Sequence, residues 1–301
     1  MTLLGALIKR NTKLFFKDKG MFFTSLITPL ILLVLYGTFL GNVYKASFLM
    51  ILPEGLSLKK ELIDGLVGGQ LISSILAVSC VTVAFCSNML MVQDKATGTI
   101  NDFTISPVKP SALSLGYYIS TLISTLIICL CAAAACLIYV ATLGWYMSVF
   151  DVVLLLLDIV LLVLFGTALS SVINFFLSTQ GQISAVGSII SSVYGFICGA
   201  YMPISQFSEG LQKIISFLPG TYGTSLVRHH ATCGVFREMN SEGYPKEIIT
   251  AFKDSIDSNL YFFDNEVSVS VKYAILSGTT LILIVAYILL NVIKSKNTNK
   301  K

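Results

Sequence analysis

Six long apolar stretches constrain this sequence more than any other feature, because a helix needs about 20 apolar residues to cross the hydrocarbon core of a bilayer. Only 12% of the 301 residues are charged, which is about half the share that a soluble domain carries. The six predicted spans are residues 21–43, 66–92, 115–142, 152–177, 183–201 and 273–293. The sequence therefore predicts an all-α integral membrane protein with one transmembrane domain over residues 1–301.

The basic residues orient these spans, because the cytoplasmic loops of membrane proteins carry an excess of Lys and Arg. Five basic residues precede the first span, four lysines lie in residues 294–301, and two more lie between the second and third spans. An even number of spans places both termini on one side. We therefore expect both termini, including the tail 294–301, in the cytoplasm beneath a plasma membrane. The net charge of +4 is too small to indicate a nucleic-acid partner.

Residues 1–20 are too polar to span a membrane, but their pattern is typical of an amphipathic helix at the inner membrane interface. Leu4, Ile8 and Phe15 can share one helical face, while the basic residues crowd another. A solvated basic tail is the alternative interpretation.

The polar loop "QDKATGTINDFTISPVKPSAL", residues 93–113, carries the residues that begin and end a short helix. Thr99 followed by Asp102 forms a capping-box pattern. Pro107 and Pro110 end the helix after about two turns, because proline cannot donate to the preceding turn. The loop is therefore predicted to contain a short, rigid helix.

Ile100 and Phe103, three residues apart, share one face of this predicted helix. An apolar face on a short cytoplasmic helix favours a docking surface for a partner. Packing of Phe103 back onto the bilayer or the bundle is the alternative.

The same loop resembles the cytoplasmic segment of the type-2 ABC exporter permeases. In that family an acidic residue, a Gly-Thr pair, a short helix and Ser-Pro-Val precede the third span. The matching positions here are Asp94, Gly98, Thr99, Phe103, Ser106, Pro107 and Val108. The family usually has glutamates near the helix start, where this sequence has only Asp102. The stretches "LIKRNTKLFFKDKGMFFTSLITPLILLVLYGTFL" and "FLPGTYGTSLVR" resemble the family's N-terminal segment and the segment before its last span.

The resemblance implies that the loop helix is a coupling helix, which seats on a separate ABC ATPase subunit and carries its movement to the spans. The implied coupling residues are Thr99, Ile100, Asp102, Phe103 and Pro107. The resemblance also implies a second permease copy or homologue, in a homodimer or a heterodimer. The sequence has no G-x-x-x-x-G-K-[ST] phosphate loop. We therefore expect no enzymatic activity, cofactor or metal in this chain, with ATP and Mg²⁺ bound by the partner.

The fifth stretch carries small residues at strict four-residue spacing, which allows close contact between helices in lipid. They are Gly187, Ser191, Gly195 and Gly199. The stripe is predicted to be either an interface between two permease chains or a packing seam within one bundle. The resemblance implies that this span belongs to the dimer region.

Polar groups inside predicted spans are functional candidates by default. Asp158 and Asn174 lie in the fourth span. Asp158 either serves a substrate or a proton, or it lies hydrated near the outer interface, which the span length favours. The sequence "HHATC", residues 229–233, offers too few ligands for a metal and is predicted to be an interfacial loop.

The outer side is predicted to consist of two loops and a broken apolar segment. Residues 44–65 form the first loop. Residues 202–227 fit short re-entrant helices at the outer membrane face, as the resemblance also implies. Residues 228–272 form an extracellular loop, within which residues 247–253 have the pattern of an amphipathic helix.

The features above predict the membrane-spanning permease subunit of an ATP-driven exporter. The scarcity of polar groups in the spans favours an amphiphilic substrate such as a drug, an antimicrobial peptide or a lipid-like compound. Two alternatives remain open. One is a secondary, ion-coupled transporter, and the other is a non-transporting membrane sensor or scaffold.

Overall fold

Helices make up nearly all of the regular structure. The computed structural model describes residues 3–53, 56–105, 110–263 and 265–298. The elements in chain order are α1 (Leu3–Lys17), α2 (Lys19–Leu35), a π-helical segment (Tyr36–Leu40), α3 (Gly41–Ile51), α4 (Lys60–Ala96), α5 (Thr99–Ile105), α6 (Pro110–Leu143), α7 (Val149–Phe175), α8 (Gln180–Ile197), a 3₁₀ turn (Ile204–Gln206), α9 (Glu209–Ile215), α10 (Pro219–Ser241), α11 (Lys246–Ser255), strands β1 (Tyr261–Phe262) and β2 (Asn265–Glu266), and α12 (Val269–Thr298). The all-α class is therefore confirmed, with one antiparallel pair of two-residue strands.

Five helical segments in the described part of the chain are long and apolar enough to cross a membrane. They are Lys19–Ile51, Lys60–Ala96, Pro110–Leu143, Val149–Phe175 and Val269–Lys294. The predicted fifth span, residues 183–201, forms α8, which ends at Ile197 and is not among these five. The helix stops there because Gly199 has a φ of +72°, the left-handed conformation that commonly follows a helix end. The total of six spans therefore stays a prediction.

The central helix of the bundle is α4, which is buried along most of its length. It packs chiefly against α6, α7 and α10, with α2 and α8 completing its surroundings. Small residues permit this close packing. A Cβ atom at Gly69 would lie 2.8 Å from the carbonyl oxygen of Ala231 on α10, and one at Gly166 on α7 would lie 2.8 Å from the carbonyl oxygen of Cys80.

The N-terminal segment is the predicted helix, α1. Leu7, Asn11 and Phe15 form its buried face, and it packs mainly against α6. Leu7 lies so close to α6 that a Cβ atom at Gly116 would be 3.3 Å from the Leu7 Cβ. The alternative of a solvated tail is therefore wrong, while the position of α1 at the membrane interface stays a prediction.

The first span extends beyond its predicted end, so most of the loop predicted over residues 44–65 is wrong. The helix continues through the π-helical segment and α3 to Ile51, and α4 already begins at Lys60. Helix persists because Tyr44 and Phe48 are buried. The Phe48 ring packs edge-on against Phe252 of α11, with centroids 5.6 Å apart.

The predicted division between a re-entrant segment and a loop at residues 227 and 228 falls inside a helix. α10 begins with Pro219 at its first position and runs to Ser241, followed by Gly243 with a φ of +84°. The loop predicted for residues 229–233 is therefore wrong, because no residue that requires a turn interrupts α10 there. The amphipathic helix predicted near residues 247–253 is confirmed as α11, with Ile248, Ile249 and Phe252 buried.

The close approach of α4 to α10 generates a stability prediction. We expect Gly69→Ala to lower the free energy of unfolding by about 1–3 kcal/mol, because the added methyl overpacks a backbone contact. Gly181→Ala is the matched control, since a Cβ atom there would meet nothing within 4 Å. Thermal unfolding of the detergent-solubilised chain measures both, and equal midpoints for the two variants would contradict the contact.

Candidate functional site

The short helix predicted in the polar loop is confirmed as α5. It follows α4 after a two-residue turn in which Gly98 has a φ of +79°, a conformation that favours glycine. Thr99 is the first helical residue, so Gly98 rather than Thr99 precedes the helix. Pro107, predicted to end this helix and to take part in coupling, lies outside the described residues together with Ser106 and Val108.

The side chains of α5 are divided between solvent and α1. Asp102 is exposed, whereas Thr99, Ile100 and Phe103 are half-buried. The guanidinium carbon of Arg10 lies 5.3 Å from the centroid of the Phe103 ring, a cation–π distance. Part of the apolar face of α5 is therefore covered by α1, and Asp102 remains accessible.

Asp94, in the last turn of α4, binds side chains of two other helices. Arg10 Nη1 and Nη2 donate to its two oxygens at 2.6 and 3.2 Å, and the hydroxyl of Tyr117 on α6 donates to Oδ2 at 2.5 Å. The hydrogen bond to the Asp94 carboxylate raises the pKa of Arg10 despite partial burial. The guanidinium is therefore a permanent cation that joins α1 to α4.

Lys95, the next residue of α4, binds the end of α7. Its Nζ donates to the carbonyl oxygens of Asn174, Phe175 and Leu177 at 2.9, 2.8 and 3.1 Å. The last carbonyls of a helix have no partner within it and carry partial negative charge, so an ammonium group stabilises them. Asn174, predicted as a polar group within the membrane, thus lies in the last turn of α7 and accepts through its backbone.

Two consecutive residues therefore fix the base of α5. Asp94 connects α4 to α1 and α6, and Lys95 connects α4 to α7. We call Arg10, Asp94, Lys95 and Tyr117 the inner cluster. The turn to α5 begins directly after it, with the hydroxyls of Thr97 and Thr99 3.0 Å apart.

Asp158 is fully buried, so its predicted hydration at the outer interface is wrong. His230 Nδ1 lies 2.6 Å from Oδ2, and the hydroxyl of Tyr273 donates to Oδ1. These partners belong to α10 and α12, which the sequence could not place beside the fourth span. The contacts tie α7, α10 and α12 together, and a role of Asp158 toward a substrate or a proton stays a prediction.

A second buried charge, Arg228, lies on α10. Its guanidinium donates to the carbonyl oxygens of Ile256 and Gly199 at 2.7 and 2.9 Å, and it lies 3.5 Å from Asp257 Oδ2. Burial raises the pKa of Asp257 to about 6, and the charge of Arg228 opposes that rise. The sequence analysis did not predict that Arg228 is buried, although its position directly after the segment that precedes the last span could have indicated this.

The stripe of small residues lies against side chains of its own chain. A Cβ atom at Gly187 would lie 2.8 Å from Met89 Cε, and one at Gly195 would overlap the ring of Tyr201. The Tyr201 hydroxyl donates to the carbonyl oxygen of Ser191 at 3.2 Å, while Gly199 follows the end of the helix. The structure thus shows a packing seam within one bundle, and the interface between two chains stays a prediction.

The fold and these clusters define a multi-pass helical membrane protein in which a short polar helix, α5, is held at one end of the bundle. A family model described as ABC-2 type transporter matches residues 2–230. This match covers more than half of the chain, so the chain belongs to the ABC-2 type transporter family. A comparison with curated proteins gave no match. Family membership confirms the resemblance seen in the sequence and makes the chain an ABC permease subunit, which implies an ATPase partner.

The pair Arg10–Asp94 generates a prediction that a double-mutant cycle can measure. We expect Arg10→Gln to lower the free energy of unfolding by about 2 kcal/mol or more, because it leaves a buried carboxylate short of a partner. With Asp94→Asn as the second variant, we expect a coupling energy of about 1 kcal/mol or more. Denaturation of the solubilised chain provides the four free energies.

The pair Lys59–Glu242 is the control, because Lys59 is exposed and the two side chains meet at 2.6 Å. We expect a smaller coupling energy there, since exposed ion pairs are screened by solvent. Strictly additive effects of the Arg10 and Asp94 substitutions would show that the inner cluster does not join α1 to α4.

Proposed function

We propose that this chain is the membrane-spanning subunit of an ATP-driven exporter, which moves an amphiphilic substrate outward across the plasma membrane. In this proposal a separate ABC ATPase subunit, with its own ATP and Mg²⁺, docks on α5 in the cytoplasm. The observation that carries it is the attachment of α5 to the inner cluster, within a chain of the ABC-2 family.

The inner cluster supports a mechanical role for α5. A displacement of α5 acts on the end of α4 through a turn of only two residues. Asp94 and Lys95 then pass the displacement to α1, α6 and α7, because their contacts are charge-assisted and partly or fully buried. A helix on a flexible loop would absorb the same displacement.

The exposed part of α5 has the composition of a docking surface. Ile100 and Phe103 supply apolar area, and Asp102 supplies an accessible negative charge. A complementary ATPase groove would need an apolar floor and a basic or hydrogen-bonding rim. In this proposal Phe103 is the central contact, because the guanidinium of Arg10 already fixes one face of its ring.

The proposed substrate class is supported by a cavity of about 700 Å³ between the first span and α8. The surface of its lining is mostly apolar and includes Ile31, Leu35 and Val43, while Tyr and Ser hydroxyls, such as those of Tyr44 and Ser191, supply polar groups. Such a lining suits a drug, an antimicrobial peptide or a lipid-like compound better than an ion. In the proposed assembly a second permease copy or homologue would face this side of the chain.

The docking role of α5 generates a prediction for the complex with the ATPase subunit. We expect Phe103→Ala to weaken binding of that subunit by about tenfold or more, as truncation of a central aromatic contact does at other interfaces. Substrate-stimulated ATP hydrolysis should fall with it. Co-purification and ATPase assays in reconstituted membranes measure both effects.

Phe23→Ala is the matched control, because Phe23 is an exposed aromatic residue on α2 within a candidate span and not on α5. Unchanged binding and stimulation in the Phe103 variant would contradict the coupling role. Transport by the purified chain without any ATPase, driven by an ion gradient, would instead favour a secondary transporter. A complex whose ATPase responds to no substrate would favour a sensor or scaffold.

A further inference from the structure

A cavity of about 420 Å³ lies between α10 and α11, at the end of the molecule opposite α5. Lys59, directly before α4, pairs with Glu242 directly after α10. α5 follows the other end of α4, and the 37 residues of α4 rise about 55 Å. The cavity is therefore on the outer side whenever α5 is cytoplasmic.

The cavity concentrates positive charge. Arg237, Lys246 and Lys253 line it, and no carboxylate is among its described lining residues. Arg237 pairs with Asp151 through Nη2 alone, at 2.9 and 3.0 Å. Within the described residues, Lys246 and Lys253 have no carboxylate within ion-pair distance, unlike Lys59. Asp151 neutralises Arg237. The positive charges of Lys246 and Lys253 therefore remain uncompensated at the cavity.

The remaining lining supplies hydrogen bonds and an apolar wall. Asn240 and Thr250 contribute polar side chains. The ammonium group of Lys253 lies over the Phe236 ring, 5.5 Å from its centroid. His229 also lines the cavity, and burial, aided by the neighbouring His230, lowers the pKa of His229 to about 4. His229 therefore adds a neutral hydrogen-bonding group near pH 7.

The cavity adjoins the membrane through α7. Asp151, the partner of Arg237, lies in the first turn of α7, where it forms a capping box with Ser148. Val149 and Phe150 in the same turn are 82% and 69% exposed. α7 is a candidate span that begins at this turn. With α5 in the cytoplasm, we therefore expect the turn at the outer membrane interface, the depth at which lipid phosphates lie.

We propose that this cavity binds the phosphate group of an anionic glycerophospholipid from the outer leaflet. Arg237, Lys246 and Lys253 would donate charge-assisted hydrogen bonds to the phosphate oxygens, as basic pockets between membrane helices do for other anionic headgroups. Free inorganic phosphate offers the same chemistry from solution. The site is separate from both α5 and the cavity beside α8, so it does not depend on the proposed substrate.

The test measures equilibrium binding to the full-length chain in an uncharged detergent. The probes are short-chain phosphatidylglycerol, short-chain phosphatidylcholine and inorganic phosphate. Isothermal titration calorimetry measures the binding of each probe. The variant is Lys246→Gln with Lys253→Gln. The matched control is Lys60→Gln with Lys213→Gln, which removes the same charge from two exposed lysines outside the cavity.

We expect the wild-type chain and the control to bind phosphatidylglycerol about tenfold tighter than phosphatidylcholine. The cavity variant should lose about tenfold or more in affinity for phosphatidylglycerol, because each lost contact is a hydrogen bond to a charged group. Lys246→Arg with Lys253→Arg should retain binding, which separates loss of charge from misfolding.

Inorganic phosphate that binds as tightly as phosphatidylglycerol would assign the site to a free anion instead of a lipid. Equal affinity for the two lipids, or unchanged affinity for phosphatidylglycerol in the cavity variant, would overturn the proposal.

Discussion

The carboxylate of Asp94 makes the contacts on which the α5 end of the molecule depends. It is buried at the end of α4, and it is neutralised by Arg10 and hydrogen-bonded by Tyr117. A buried charge that loses its partner is strongly destabilising, so α1, α4 and α6 must stay together. Lys95 extends the same junction to α7. α5 therefore leaves the bundle directly after a junction that joins α4 to three other helices.

Local patterns predicted the local elements well. The periodicity of residues 1–20, the Gly-Thr turn with its following acidic residue, and the Ile-Ile-Phe pattern near residue 250 correspond to α1, α5 and α11. Each of these depends on interactions within a few residues, which a sequence displays directly. The type of element was accordingly easier to predict than the end of the first span, because burial of Tyr44 and Phe48 extends the helix there.

Long-range pairings could not be predicted in this way. Asp158 meets His230 and Tyr273, 72 and 115 residues further along the chain. Only the packing of α10 and α12 against α7 brings the three side chains together. In the sequence Asp158 therefore looks unpaired, whereas in the fold its carboxylate is hydrogen-bonded. Arg228 was overlooked for the same reason, since its acceptors are mainly backbone carbonyls that have no sequence signature.

The length of the first span has a consequence for the end of the bundle opposite α5. Its 33 residues rise about 50 Å, whereas the hydrocarbon core is about 30 Å thick. The surplus, α3, packs through Phe48 onto Phe252 of α11. A tilt of this long helical segment at its α1 end would thus also shift α11, so the two ends of the bundle are mechanically linked by a single continuous piece of chain.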